Sequence, residues 1–147
     1  MGFGWLFSRQ SAIKQFLMAL EEVDLDLLGN FASVRDFLKE HIKSEASKAE
    51  SRKVISQLVK DGVEPKVTAY LFIRVLLEDL LLDGHYHVLP GRLNRDGESF
   101  LAIYNNVVRE LRRMEWFNAA QAETHFQEMR NGIAYASPSV RELKNSA

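Results

Sequence analysis

The stretch PKVTAYLFIRVLLEDLLLD, residues 65–83, decides the fold of this chain. Pro65 suits the first turn of a helix, and Gly84 follows the last residue. Between them, apolar residues cover most of the circumference of a helix. These residues are Val67, Tyr70, Leu71, Phe72, Ile73, Val75, Leu76, Leu77, Leu80, Leu81 and Leu82. A helix that is apolar on most sides must be buried, so we predict that this is the central helix.

Upstream, apolar residues recur at the i, i+3, i+4, i+7 spacing that lines one face of a helix. They predict a first helix from about Arg9 to Glu22, a second after Gly29-Asn30 and a third that ends at a left-handed Gly62. The polar residues 44–50 fit either a solvated helix or a link. The predicted buried faces are Ile13, Phe16, Leu17 and Leu20, then Val34, Phe37, Leu38 and Ile42, then Ile55, Leu58 and Val59.

Downstream, Pro90-Gly91 predicts a turn, and with it a short extended excursion or small hairpin near residues 85–94. A fifth helix follows from about Asp96 to Glu115. A sixth starts at a possible capping box beginning with Asn118 and stops at Asn131-Gly132, and a short last helix occupies about 137–144. The predicted faces are Leu101, Tyr104, Val108 and Leu111, widened by Phe100, Ile103, Val107 and Met114, and then Ala119, Ala122, Phe126 and Met129.

These elements predict an all-α fold, a compact bundle of about six helices with one short hairpin. The chain has 147 residues, of which 46% are hydrophobic and 27% charged. That length is near the commonest domain size, and the composition is too apolar for intrinsic disorder. We therefore expect residues 1–147 to form a single helical domain.

The composition excludes several classes of function. The formal net charge is −1, so no overall field attracts nucleic acid or anionic lipid. There is no cysteine, which excludes disulfides, a cysteine nucleophile and thiolate metal sites. The apolar N-terminus lacks the basic lead of a secretory signal, and charged residues interrupt the most apolar stretch. We expect a soluble, cytoplasmic protein that does not bind membranes.

Residues 51–83 form a helix, a glycine turn and a second helix, which suggests a helix-turn-helix with the following hairpin as the wing of a winged-helix domain. Residues 93–101, LNRDGESFL, loosely resemble the step from strand to helix after many bacterial wings. A recognition helix needs a polar face for base edges and phosphates, however. The predicted central helix offers few polar residues, so nucleic-acid binding is the less favoured hypothesis.

His85 and His87 would point to the same side of an extended segment, near Asp79 and Asp83. Two imidazoles and a carboxylate can hold zinc, so a metal-dependent hydrolase is a third hypothesis. No spacing fixes a third ligand, and we predict no metal site and no cofactor. The other two histidines lie beside predicted apolar faces and are interpreted as structural; they are His41 and His125.

The densest basic cluster comprises Arg92, Arg95, Arg109, Arg112 and Arg113. It could receive phosphate or an acidic partner, but acidic residues dilute it, and its helical members fit a solvated helix face. The neighbouring carboxylates Glu21-Glu22 and Glu78-Asp79 are likewise interpreted as helix-surface charge unless a cleft encloses them. Adjacent helix positions do not face each other.

The sequence contains no glycine-rich phosphate loop, zinc-protease motif or nucleophile elbow, and we predict that the protein is not an enzyme. We expect a non-catalytic helical module that binds another protein, through an apolar groove between helices or through residues 84–96. Loops on a rigid scaffold often carry binding residues. The predicted partner-binding residues are His85, Tyr86, His87, Arg92 and Arg95. The alternative is a winged-helix-like DNA-binding regulator, and the oligomeric state stays open.

Overall fold

The computed structural model describes residues 11–23, 32–82, 88–89, 92–93, 95–114 and 119–133. These ranges contain six helices and one short hairpin, which confirms the predicted all-α bundle. The helices are α1 Ala12–Glu22, α2 Ala32–Ala46, α3 Ala49–Lys60, α4 Pro65–Leu82, α5 Arg95–Met114 and α6 Ala119–Gly132, and the strands are β1 Val88–Leu89 and β2 Arg92–Leu93. The predicted helix at 137–144 lies outside the described residues.

The first helix begins behind a side-chain cap. The backbone N–H of Lys14 donates to the hydroxyl oxygen of Ser11 at 3.2 Å, which satisfies one of the free donors at the helix N-terminus. Phe16 and Ala19 are buried, while Leu17 and Leu20 are partly buried at the edge of the core. This helix packs against α3 and α4, so its sequence neighbour α2 is not its main contact.

The predicted buried face of α2 is right for Val34, Leu38 and Ile42 and wrong for Phe37, which is 45% exposed. Consecutive helical residues are rotated by about 100°, so Phe37 turns away when Leu38 points into the core. Its ring instead stacks on His41 at 5.8 Å between centroids and meets the edge of Phe100 at 6.0 Å.

The polar stretch between α2 and α3 is mostly helical, with a break at residues 47 and 48. The hydroxyl of Ser47 donates to the carbonyl of Ser44 at 2.7 Å, and Lys48 pairs with Glu45 at 2.9 Å. These contacts close the end of α2 before α3 begins one residue after Lys48. Both interpretations of this stretch are therefore partly right.

The connection from α3 to α4 is a Schellman turn. Gly62 has a φ of +101°, its N–H donates to the carbonyl of Val59 at 3.1 Å, and the N–H of Val63 donates to Leu58 at 3.0 Å. This pair of bonds satisfies carbonyls at the helix end and needs a left-handed residue. Pro65 then opens α4, as predicted.

Helix α4 is the centre of the molecule, as its apolar circumference predicts. It packs against α1, α5, α6 and α3. Most of its side chains are at most 8% exposed, including every large apolar residue from 67 to 77. The buried apolar residues of this helix are Val67, Ala69, Tyr70, Leu71, Phe72, Ile73, Val75, Leu76, Leu77 and Leu80.

The two short strands confirm the predicted hairpin near residues 85–94. They pair antiparallel, with Val88 opposite Leu93 and Leu89 opposite Arg92. Helix α5 follows, but its buried face is rotated from the expected one. The innermost residues are Phe100, Ile103, Val107 and Leu111, whereas Leu101, Tyr104 and Val108 are only partly buried.

The last described helix, α6, buries Phe126 and Met129 as predicted and packs against α3 and α4. Gly132 ends it, but not as a left-handed cap, since Gly62 has the only positive φ among the described residues. A β-carbon at Gly132 would lie 2.5 Å from the β-carbon of Val54 in α3. The glycine is therefore needed because two helices approach closely there.

Candidate binding groove

The face that α1 presents beside α2 is set by three residues at helical spacing. Leu17, Leu20 and Glu21 are at i, i+3 and i+4, which places them together on one side. The two leucines are only partly buried by the rest of the chain, and the glutamate is exposed. Val23, just past the helix, extends this apolar wall.

The opposite wall comes from α2, where Lys39, Ile42, Lys43 and Ala46 are at i, i+3, i+4 and i+7 and share a face. Ile42 and Ala46 are buried, and the two lysines are exposed above them. The break after α2 redirects the chain so that α3 brings Arg52 to the same opening. Sequence-distant cations thus collect at one rim.

Between these walls lies a cavity of about 440 Å³. We call it the basic groove, and its lining residues are Leu17, Leu20, Glu21, Val23, Lys39, Ile42, Lys43, Ala46, Ser47, Arg52 and Ile73. Ile73 of the central helix contributes to the lining from the core. Ligand-binding clefts are typically several hundred Å³ in volume and combine apolar walls with some polar groups.

The rim of the basic groove carries three positive charges, on Lys39, Lys43 and Arg52, and one negative charge, on Glu21. Among the ion pairs of the described residues, none involves these four side chains. None of the four therefore forms an ion pair within the described part of the chain. The groove is suited to a surface that is apolar at its centre and acidic at its edge.

A second polar cluster lies where α4, α5 and α6 meet. Glu78 accepts a hydrogen bond from the hydroxyl of Tyr104 at 3.2 Å and pairs with Arg130 at 3.0 Å. The guanidinium of Arg74 lies 3.6 Å from the centre of the Phe126 ring. Burial is the main cause that raises the pKa of Tyr104, and the nearby charge of Glu78 raises it further.

This second cluster links the helices rather than forming a cleft. Glu78 already pairs with Arg130, and Arg74 packs on an aromatic face. The surface interpretation of the pair Glu78-Asp79 is wrong, since Asp79 is 7% exposed and Glu78 forms the ion pair and hydrogen bond just described. These contacts hold α4, α5 and α6 in register.

Of the predicted partner-binding residues, His85, Tyr86 and His87 lie outside the described residues. The structure places the backbone of Arg92 in β2 and that of Arg95 at the start of α5, and it describes neither side chain. The proposed binding role of these five residues stays a prediction. The zinc hypothesis on His85 and His87 also lies outside the described part of the chain.

The remaining candidates have places in the structure. Arg113 pairs with Glu110 one turn earlier, and Arg109 and Arg112 are exposed, so these three arginines of α5 lie on a solvated face as expected. His41 is partly buried under the Phe37 ring, and His125 is partly buried on α6. Both positions agree with the structural interpretation of these histidines.

Within the described ranges, no three or more histidine, cysteine, aspartate or glutamate side chains are grouped so that they could hold a metal ion. Over the same ranges, no helix combines the length and the apolar character that a membrane span needs.

Comparison of the chain with protein-family models, with curated proteins and with solved structures gives no match.

The sequence predicts an apolar groove between helices but indicates none of its rim residues. A local pattern was available in part, because Lys39 and Lys43 flank the buried Ile42 at helical spacing. No local pattern relates them to Arg52 or to the leucines of α1. Those residues meet only because α1 and α2 both pack around the core while leaving space between themselves.

Proposed function

We propose that this chain is a non-catalytic helical module that binds another protein, and that the basic groove is where the partner docks. The observation that carries the proposal is the coincidence of apolar walls with three cations that form no ion pair among the described residues, contributed by separate helices of a packed scaffold. Interfaces combine an apolar centre with a polar rim in this way.

The nature of the rim supports binding rather than catalysis. Lys39, Lys43, Arg52 and Glu21 are all exposed, so water screens their charges. Catalytic groups are usually desolvated and held by a neighbour that tunes their pKa. Exposed charges at a rim instead guide the encounter with a partner of opposite charge and select its orientation.

The winged-helix alternative gains one supporting observation, since a hairpin does follow the second helix of the α3–α4 pair. The burial of α4 counts against it. Beyond the first turn of this helix, from residue 67 to residue 81, no described side chain is exposed. A helix surrounded by the core has no face to insert into the major groove of DNA. We therefore keep protein binding as the proposal.

The proposal is tested with a photo-crosslinking amino acid at the groove. We would place p-benzoylphenylalanine at Glu21, on the rim, and at Glu128, an exposed residue of α6 that does not line the groove. Irradiation in a lysate of the source cells should give a discrete crosslinked protein from position 21 and not from position 128. The product should disappear when Lys39 and Lys43 are both changed to glutamate. Identical products from both positions would refute the groove as the docking site.

A further inference from the structure

The volume of the basic groove limits what can fill it. Removing one large buried side chain from a protein core leaves a cavity of about 150 Å³. The basic groove has about 440 Å³, so it has room for about three large apolar side chains. Its apolar lining, Leu17, Leu20 and Val23 on one side and Ile42 on the other, would contact such side chains directly. An incoming segment therefore needs a short row of large apolar residues.

The positions of the cations indicate where the acids of this segment lie. Lys39 and Lys43 are one helical turn apart on α2, a rise of about 6 Å along its axis. Arg52 lies at the rim on a different helix. Two carboxylates one turn apart on a helix have the same spacing as the two lysines, so a helical partner can pair with both while its apolar face is buried.

The walls of the groove favour a helix over an extended strand. An extended peptide gains its affinity by adding to an exposed sheet edge, and the groove is lined by helices and the ends of helices. A helix can lie between two helices by packing its side-chain ridges into their grooves. It also presents apolar side chains at i, i+3, i+4 and i+7 to a single cavity.

We infer that the partner occupies the basic groove with an amphipathic helix that carries a row of large apolar residues flanked by acidic residues one turn apart. The inference rests on the proposed function, since it specifies the chemistry of the partner at the same groove. The apolar row fills the cavity, and the acids pair with Lys39 and Lys43. Glu21 disfavours a partner with an acid at the α1 side, which fixes the orientation of the helix.

The test uses model peptides of about 14 residues, the length at which isolated helices become marginally stable. The first has leucine at i, i+3, i+4 and i+7, with two glutamates one turn apart on one side of the leucine face. The second replaces each glutamate with lysine, and the third has the composition of the first in scrambled order. Fluorescence anisotropy with the full chain should show binding of the first peptide only, weakened by salt. The bound peptide should be helical by circular dichroism.

The decisive part of the peptide-binding test is charge reversal at the two lysines of the rim. With the variant Lys39→Glu/Lys43→Glu, the glutamate peptide should bind roughly ten- to thirtyfold more weakly, and the lysine peptide should gain affinity. The matched control is Lys53→Glu/Lys60→Glu, which reverses two exposed lysines of α3 that do not line the groove. Because both variants change the net charge equally, the control should bind the glutamate peptide like the unmodified chain.

Several outcomes would overturn the inference. If the ordered and scrambled peptides bind equally, or if the two charge reversals have equal effects, binding depends only on net charge and not on the groove. Binding to phosphatidylserine vesicles in place of the peptides would indicate a lipid surface. A dimer abolished by Lys39→Glu/Lys43→Glu would make a second copy of the chain the occupant.

The proposed function and the inference about an acidic partner helix are contradicted by different results. If the crosslink from position 21 persists and depends on the two lysines while no model peptide is preferred, the groove binds a protein but not through an acidic helix. If the crosslink is also absent, the proposed function itself fails.

Discussion

Replacing Gly132 with alanine tests the closest approach between two helices of the fold. The new β-carbon would lie 2.5 Å from the β-carbon of Val54 and 2.6 Å and 3.0 Å from its two methyl carbons. Carbon atoms in favourable contact are about 3.5–4.0 Å apart. The β-carbon of Val54 is fixed to the backbone of α3, so rotating the valine does not remove the clash. Helices α3 and α6 must move apart instead.

The size of the effect follows from two opposing contributions. Overpacking a core contact costs about 1–3 kcal/mol. Alanine is favoured over glycine by up to about 1 kcal/mol inside a helix, and by less at Gly132, which is the last helical residue. We expect a net loss of about 1–2 kcal/mol in the free energy of unfolding. For a chain of this size the midpoint of thermal unfolding should fall by roughly 3–8 °C.

The assay is urea or thermal unfolding of Gly132→Ala, Val54→Ala and the double variant, followed by circular dichroism. Val54→Ala removes two of the three close contacts, so the double variant should be more stable than the sum of the single effects predicts, by about 0.5 kcal/mol or more. Gly62→Ala is the control. It should also destabilise, because its φ is +101°, but without coupling to Val54. Additive effects, or no loss for Gly132→Ala, would refute the close approach.

Three further predictions concern other parts of the fold. Leu76→Asp should lower the free energy of unfolding by about 4 kcal/mol, because an unpaired charge enters a fully buried position. The control Lys66→Asp, at an exposed position of α4, should change the melting midpoint little. The raised pKa of Tyr104 means that the folded state holds the phenol proton more tightly than the unfolded state does. The free energy of unfolding should therefore fall as the pH rises above about 10. Tyr104→Phe should reduce this loss, as measured by denaturant titrations at several pH values. Duplex DNA should bind weakly and without sequence preference, since the net charge is −1, and a sequence-specific gel shift at physiological salt would contradict this.

The elements of the fold could be predicted because each has a local cause. Gly62 and Pro65 mark a helix end and a helix start whatever surrounds them, since one needs a positive φ and the other suits a first turn. The burial of α4 follows from its apolar circumference alone. The hairpin could be predicted from the single turn signal Pro90-Gly91 between two short extended stretches. The antiparallel pairing of β1 and β2 agrees with that prediction.

The predicted buried faces were wrong where several apolar residues compete for one face of a helix. Helix α5 has a broad apolar stripe, and the structure buries Ile103 while Tyr104 turns to the edge so that its hydroxyl reaches Glu78. Phe37 lies outside the core for a similar reason, because its neighbour Leu38 takes the buried position on α2. Periodicity gives the period of a helix accurately but leaves the rotation of a wide stripe to its packing partners.

The basic groove could not be located from the sequence, because its residues lie on separate elements. Arg52 approaches the leucines of α1 through the packing of α1 against α3, and Lys39 approaches them through the packing of α2 around the same core. The same limit applies to Gly132, which by its sequence context is a stop signal. Its reason is a contact with Val54, far away along the chain.

The central position of α4 has a consequence for amide hydrogen exchange. Among the described elements, helix α2 has small contacts with α5 and α3, so we expect it to open while the rest of the bundle stays folded. Helix α4 contacts four other helices and cannot open without breaking the core. Its amides should therefore exchange only through global unfolding, at a rate that reports the total stability, whereas those of α2 should exchange earlier through a partial opening. Because α2 forms one wall of the basic groove, a bound partner should slow exchange there first.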